Sequence, residues 1–285
     1  MTRSIEEPTA ASTTVERLVH VVRVEGATEK PDRVVVEQPL EIRARRDGRV
    51  VPVAVTMRTP GADVDLAAGF LLGEGIVRAR EDVRAIAPDG TDAVIVDLSP
   101  GAAARLDRTT RSFYVTSSCG VCGKASIDAV RAELPRAPSS TTARVAPKTI
   151  LSLGEALRRA QGTFETTGAL HAAALFAEDG ELLRLAEDVG RHNAVDKVLG
   201  AELLAGRVPL GGGVLFLSGR VAFELVQKAA LAGVAVVAGI GGPTSLAIEL
   251  AESAGLTLLG FVREGRFNVY AGGAVEGLGF GADRG

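Results

Sequence analysis

The sequence predicts an α/β protein: a largely parallel sheet in the C-terminal half, preceded by a β-rich N-terminal part. Three observations carry this. Between residues 214 and 262, short continuous apolar runs (214–217, 234–237 and 256–262) alternate with helical segments, as strands covered on both faces by crossover helices do. Residues 17–57 carry β-type runs instead, with Asp47-Gly48 as a hairpin turn signal. Glycine-bearing loops follow each of the three C-terminal strands, where open α/β sheets bind ligands.

In chain order, residues 1–15 are polar and without period, and are expected to form a mobile tail. Strands are predicted over 18–22, 34–36, 40–44 and 50–55, then a helix with Asp63 or Asp65 as N-cap and Leu66, Phe70 and Leu71 on one face. Val94-Ile95-Val96 and Phe113-Tyr114-Val115 are two further strands, the second running into the cysteine pair. Residues 135–147, rich in Pro, Ser, Thr and Ala, read as a connection. Ser152 is expected to cap a helix reaching about residue 160, and strands over 170–176 and 182–185 flank the turn Glu178-Asp179-Gly180. Helices are predicted over 221–231 and 245–254, with Gly255 stopping the second. The expected organisation is a tail (1–15), a β-rich lobe ending in the cysteine loop and its helix (16–134), a connection (135–150) and an α/β ligand-binding lobe (151–285).

The 285 residues are 46% hydrophobic and 24% charged, and 32 basic against 35 acidic side chains leave a net charge of −3. That balance gives no general attraction to nucleic acid or anionic membrane. No apolar run reaches the ~18 residues of a membrane span, and the N-terminus lacks the basic-then-apolar signal pattern. A soluble, cytoplasmic protein is expected. Two cysteines exclude a disulfide scaffold and a four-cysteine zinc site within one chain.

Those cysteines, Cys119 and Cys122, sit in Ser117-Ser118-Cys119-Gly120-Val121-Cys122-Gly123-Lys124, ahead of an amphipathic segment with Ile127, Val130 and Leu134. A loop entering a helix stabilises a thiolate through its amides and the positive helix end, with Lys124 adding charge. Such a thiol can accept sulfur as a persulfide or exchange disulfides; two buried, inert cysteines are the plainer reading. Zinc deaminases share Cys-x-x-Cys but need His-x-Glu upstream, and His20 is followed by Val21-Val22.

A second cluster, residues 188–197, concentrates Asp188, Arg191, His192 and Asn193 at a strand-to-helix junction, which suits anion binding or proton handling but also an ordinary capped helix. The third candidate is the set of loops Ser218-Gly219-Arg220, Gly239-Ile240-Gly241-Gly242-Pro243-Thr244 and Arg263-Glu264-Gly265-Arg266, whose amides and arginines can hold phosphate. Neither a Walker lysine nor Gly-x-Gly-x-x-Gly at a helix start is present, which disfavours an NTPase or a Rossmann dehydrogenase.

Together with Thr167-Gly168-Ala169-Leu170-His171-Ala172-Ala173-Ala174, Phe223-Glu224-Leu225-Val226-Gln227-Lys228 and the stretch from Gly260-Phe261 to Asn268-Val269-Tyr270, these motifs resemble the formate dehydrogenase accessory sulfurtransferases, the FdhD family, over about residues 33–271. The resemblance implies a cytidine deaminase-like three-layer α/β/α fold without the zinc, a smaller β-rich part, and a homodimer. It implies a sulfur carrier that takes sulfur from a cysteine desulfurase as a persulfide on Cys119 and passes it to the molybdenum of the bis-molybdopterin guanine dinucleotide cofactor, for formate dehydrogenase. The cofactor stretch maps to Phe261, Val262, Arg263, Glu264, Gly265 and Arg266, with Ser218, Gly219 and Arg220 as neighbours. Cys122 would assist Cys119, and His192 would donate a proton in a chamber lined also by Asp188 and Arg191 when the cysteine loop closes over the cofactor. Two departures stand out: Gly241-Gly242-Pro243 where Ser-Ala-Pro is expected, and Gly168-Ala169 where two glycines are more usual. The alternatives are a non-catalytic cofactor-binding chaperone and, third, a dithiol oxidoreductase that leaves the ligand loops idle.

Overall fold

The structure, a computed structural model, describes residues 12–113 and 144–277. Both cysteines, the helix expected after them and most of the connection lie outside the described residues. Strands β1 (Thr14–Arg23) and β2 (Gly26–Val35) pair only with each other, as an antiparallel ribbon. The ribbon thus starts inside the stretch expected to be tail. Strands β3 (Gln38–Arg46) and β4 (Arg49–Arg58) turn at Asp47 and Gly48, whose φ of 49° and 75° are the left-handed pair that a two-residue hairpin requires. With β5 (Val83–Pro88) and β6 (Ala93–Leu98) they form a four-stranded sheet in the order β4-β3-β6-β5.

Helix α1 (Asp63–Gly73) is where the sequence places it, but neither aspartate caps it. Ala62, at φ 55°, is the N-cap, and no side chain bonds the first turn. Asp63 is taken by Arg58 instead: Nε and Nη2 of this fully buried guanidinium donate to its two oxygens at 2.9 Å each. A planar fork on a carboxylate outcompetes a cap bond here because an unpaired buried arginine would cost far more.

The strand expected at residues 113–115 is replaced at its first residue by the end of helix α2 (Pro100–Phe113). The Ser99 hydroxyl accepts from the Ala102 amide at 3.2 Å, and Pro100 takes the first helical position. A serine cap followed by proline is a start signal that the polar composition of the segment masks.

The C-terminal half holds α3 (Pro147–Ala160), α4 (Gly162–Thr167), β7 (His171–Phe176), β8 (Leu182–Asp188), α5 (Arg191–Leu204), β9 (Val214–Leu217), α6 (Phe223–Leu231), β10 (Val236–Gly239), α7 (Ser245–Ala254), β11 (Thr257–Arg263) and β12 (Arg266–Ala271). Helix α3 begins at Pro147, so Ser152 is internal to it and donates to the Thr149 carbonyl. Gly255 ends α7 at φ 70°, as expected. The six-stranded sheet runs β12-β11-β10-β9-β7-β8. Only β9, β10 and β11 are parallel; β7–β8 and β11–β12 are hairpins, and β7 runs antiparallel to β9. The sheet is therefore mixed rather than largely parallel, in an arrangement consistent with the cytidine deaminase-like topology.

Alternate strand residues serve two cores. Leu175, Leu215, Val237 and Leu258 pack toward α5, α6 and α7, while Phe176, Phe216, Val236 and Leu259 pack toward Ile150, Leu153 and Leu157 of α3. This makes three layers. The first core also takes in Leu40, Ile42 and Val94 of the four-stranded sheet through Leu66, Leu71 and Leu72 of α1. Among the described residues no helix is long and apolar enough to cross a membrane.

Helices α1 and α5 cross at backbone contact. A Cβ on Gly69 would lie 1.9 Å from the Asp196 carbonyl oxygen, and one on Gly200 would lie 1.8 Å from that of Asp65. Neither obstacle is a flexible side chain, so α1 must lift away if either glycine gains a methyl. Gly200→Ala is expected to destabilise by about 1–3 kcal/mol or more through overpacking, read as a lower urea midpoint with unchanged m-value.

Candidate functional site

Registers place the predicted residues along one rim of the six-stranded sheet. His171 pairs with Asp188, Ala173 with Leu217, and Leu217 with Gly239, so the start of β7 and the ends of β8, β9 and β10 lie side by side. The rim gathers His171, Arg191, His192, Ser218, Arg220, the 239–244 loop and Phe261, which are far apart in sequence.

Residues 188–197 divide into two sets. Asp188 is wholly buried: its carboxylate pairs with Lys197 at 2.7 Å and accepts from the amides of Thr59 and Gly190 and from Asn193 Nδ2. Lys197 also donates to the Thr59 carbonyl at 2.9 Å, and Asn193 to that of Met57 at 2.7 Å. These three side chains fasten the start of α5 to the end of β4, so Asp188 is a structural anchor and not the chamber-lining acid expected from sequence. Arg191 and His192, on the first turn of α5, remain at the rim.

His192 Nε2 is buried without a hydrogen-bond partner and lies 3.9 Å from Glu224 Oε2. Burial, then Lys228, then Arg191 push its pKa from 6.5 down to about 4, with Glu224 opposing, so the imidazole is neutral at pH 7. One turn deeper, Asp196 pairs with Lys228 at 2.7 and 3.0 Å. Burial raises Asp196 to about 6 against the opposing pull of that lysine. His171 is also lowered, by burial and Arg191.

Backbone bonds zip the ligand loops to one another. The amides of Val221, Gly241 and Phe261 donate to the carbonyls of Gly242, Gly219 and Gly241, and the Ser218 and Ile240 amides are likewise taken. The expected phosphate cradle therefore falls mainly to side chains. Of these, Arg220, Arg263 and Arg266 are exposed. The residue 263–266 segment is the tip of the β11–β12 hairpin, with Arg263 opposite Arg266 and Gly265 at φ 78°. Val262 points into the core, whereas Phe261, at φ 52°, lies over Gly242, where a Cβ would come within 2.6 Å of its ring. A Cβ at Gly241 would sit 2.9 Å from the Arg220 backbone. The double glycine is thus what allows these loops to touch.

A cavity of about 580 Å³ opens at the rim on the α3 side, lined among others by Arg158, Gln161, Phe164, His171, Ser218 and Ile240. The sequence reading missed the residue 158–164 part, whose only signals are an arginine, a glutamine and a phenylalanine around a helix end. Cys119 and Cys122 lie outside the described residues, and among those described no cluster of three or more His, Cys, Asp or Glu is placed to hold a metal.

Comparison with known proteins gives a consistent set of likenesses. Residues 35–275 match the model of the FdhD/NarQ family. The chain is 49% identical over 268 residues to the sulfur carrier protein FdhD of Mycolicibacterium paratuberculosis, covering 90% of this chain and 96% of that protein. It is 47% identical over 270 residues to the sulfur carrier protein FdhD of Streptomyces coelicolor, covering 91% and 94%. Among solved structures it resembles a proposed formate dehydrogenase accessory protein from Desulfotalea psychrophila, with a TM-score of 0.72 at 26% identity over 91% of this chain and 97% of that one.

The buried histidine makes a pH prediction. With its folded pKa below its ordinary one, His192 lets the unfolded chain bind more protons between pH 4 and 6.5, so the stability it contributes above pH 6.5 is lost on acidification. Asp196, raised from 3.8 to about 6, acts in the opposite sense and gains as pH falls through that window. Urea unfolding of His192→Gln and wild type should show the difference in stability shifting toward the variant as pH falls from 7 to 4.5.

Proposed function

The chain belongs to the FdhD/NarQ family, and on that premise we propose that it is a sulfur carrier for formate dehydrogenase, taking sulfur from a cysteine desulfurase as a persulfide on Cys119 and delivering it to the molybdenum of bis-molybdopterin guanine dinucleotide. The observation that carries the reading is the near-full-length match to proteins named sulfur carriers, across a span that includes both thiols. The gathering of residues from five separate motifs on one rim supports it. In this reading the protein works in the cytoplasm as a homodimer, and the cofactor is cargo.

The chemistry asked of the chain is modest. The Cys119 thiolate attacks the desulfurase persulfide at its outer sulfur, and the desulfurase leaves as a thiolate; one S–S bond forms as another breaks. For release, Cys122 attacks the inner sulfur, closing a Cys119–Cys122 disulfide and expelling the outer sulfur as HS⁻. The cargo's phosphates lie against Arg220, Arg263 and Arg266, whose guanidinium forks each match two oxygens. His192 enters only when that anion is present. Alone, Lys228 and Arg191 help keep it neutral; negative charge beside it offsets them and lifts the imidazole toward a proton-donating range. Proton supply is thereby tied to the arrival of cargo.

Intact mass after incubation with desulfurase and cysteine should show one added sulfur, lost in Cys119→Ala and retained in Cys122→Ala. Retention in Cys119→Ala with loss in Cys122→Ala reverses the two roles. If Cys119→Ala still supports formate dehydrogenase maturation, the protein is a non-catalytic chaperone. Calorimetric titration with GDP should show binding by the wild type, weakened tenfold or more in the double variant Arg263→Ala/Arg266→Ala.

A further inference from the structure

We propose that a second cavity, at the far end of the six-stranded sheet from the ligand rim, seats the protein that donates the persulfide. The occupant is an extended segment of that donor, presenting an apolar side chain beside a lysine or arginine. The cavity has a volume of about 620 Å³ and lies where β7 ends and β8 and β9 begin, so donor and cargo approach opposite ends of the strands. Its apolar walls are Leu175, Leu183, Pro209 and Leu210. Leu183 is there because of a bulge: Leu175 pairs with Arg184 and Phe176 with Leu182, which leaves Leu183 without an opposite number on β7. A bulge re-aims a side chain, and this one turns a leucine toward water, 49% exposed, next to Leu182 at 38%. β8 is also an edge strand of its sheet. Folding gains nothing from leucines at an open edge, and apolar groups gathered there around a cavity mark a contact site.

The polar groups of the cavity set what else the occupant carries. Glu202, 3% exposed, is saturated: Arg184 Nε donates to it at 3.1 Å, and Arg207 Nε and Nη2 at 2.5 and 2.8 Å. Arg207 Nη1 is left to donate to a main-chain carbonyl of an incoming segment. Glu178, also in the lining, is different. Its exposed carboxylate receives the Arg144 amide at 3.5 Å, and no ion pair reaches it among the described residues. Asp179 and Glu181 follow on the same turn. Gly212 leaves space over this carboxylate, since a Cβ there would come within 3.0 Å of Glu178 Oε1. A carboxylate beside an apolar hollow is matched by the cationic head of a long side chain, whose methylene stem covers the leucines. Main-chain pairing along the outer side of β8 would hold such a segment in register.

The seat rests on the sulfur-carrier function proposed above, and two features select the donor rather than the recipient of the cargo. The recipient has to reach the ligand loops, which lie at the other end of the strands. The chain returns from its thiol-bearing stretch at Arg144, and the amide of that residue is the group bonded to Glu178. A donor in this cavity therefore engages the chain next to where that stretch ends.

Loading of Cys119 on the full chain, read by intact mass, is compared for two sources: desulfurase with cysteine, and glutathione persulfide, which needs no docking. Leu183→Asp and Glu178→Lys should each raise the desulfurase concentration for half-maximal loading about tenfold. The rate at saturation, loading from glutathione persulfide and GDP binding should not change. Val55→Asp, at a position 68% exposed on the four-stranded sheet, should behave as wild type. Benzoylphenylalanine in place of Leu183 should photocrosslink to the desulfurase, at a segment where an apolar residue adjoins lysine or arginine. Glu178→Lys and the crosslink read the seat even if the bulge does not tolerate aspartate. Desulfurase loading that is unchanged in either folded variant overturns the seat and leaves the carrier function standing. So does a crosslink to a second copy of this chain, to another stretch of the same chain, or to nothing. Equal losses from both sources also overturn it, since the variants then act on the thiol itself. Wild type that loads from neither source refutes the carrier function, and the seat with it.

Discussion

A buried lysine has to find a carboxylate, and in this protein two such pairs fasten helix α5 to its neighbours. Lys197 reaches Asp188 at the end of β8 and the Thr59 carbonyl beyond β4; Lys228 of α6 reaches Asp196 of α5. Removing one partner from either pair strands a charge in the core, which costs about 3–5 kcal/mol. The position of α5 is therefore set by ion pairs on two sides and by backbone contact with α1 on a third. The charged part of the rim inherits its position from that helix: Arg191 and His192 occupy its first turn, and Glu224 faces His192 from the helix that Lys228 fastens.

The legibility of the sequence follows the kind of force at work. Strands β9, β10 and β11 could be read because burial on both faces writes an unbroken apolar run, and α7 because Gly255 has one conformational use. The caps of α1 and α3 could not, because a cap is a competition: Asp63 was better used by Arg58, and Pro147 starts a helix before Ser152 can. Residues 188–197 show the harder limit. Polar density marks the segment as special, yet nothing local separates Asp188, Asn193 and Lys197, which are spent inside, from Arg191 and His192, which are not. That division depends on where β4 ends, some 130 residues away, at a distance in sequence that no pattern spans. The same holds for Gln161, whose buried side-chain nitrogen has no partner among the described residues, a lack visible only once the neighbouring strands are in place.

The rim also divides its labour between the two faces of the sheet. On the α5 side stand the charged and titrating groups, Arg191, His192, Glu224 and Lys228. On the α3 side lies the cavity, lined by Phe164, Leu170 and Ile240 and by the polar groups of Arg158, Gln161, His171 and Ser218. His171, at the first residue of β7, lines the cavity and is close enough to Arg191 to feel its charge. A ligand extended across the rim would meet a partly aromatic wall at one end and the α5 charges at the other, with strand termini between them.

The contact of Phe261 with Gly242 bears on how such a loop can change over generations. The ring occupies the space of the missing side chain, and its own backbone is held at φ 52° to do so. An alanine at 242 would collide with the ring while Phe261 stays, whereas a smaller residue at 261 would leave a gap while Gly242 stays. Each position therefore sets what the other can hold. The loop after β10 and the bend in β11 are therefore one epistatic unit: residue 242 can gain a side chain only if the ring at 261 shifts or shrinks with it.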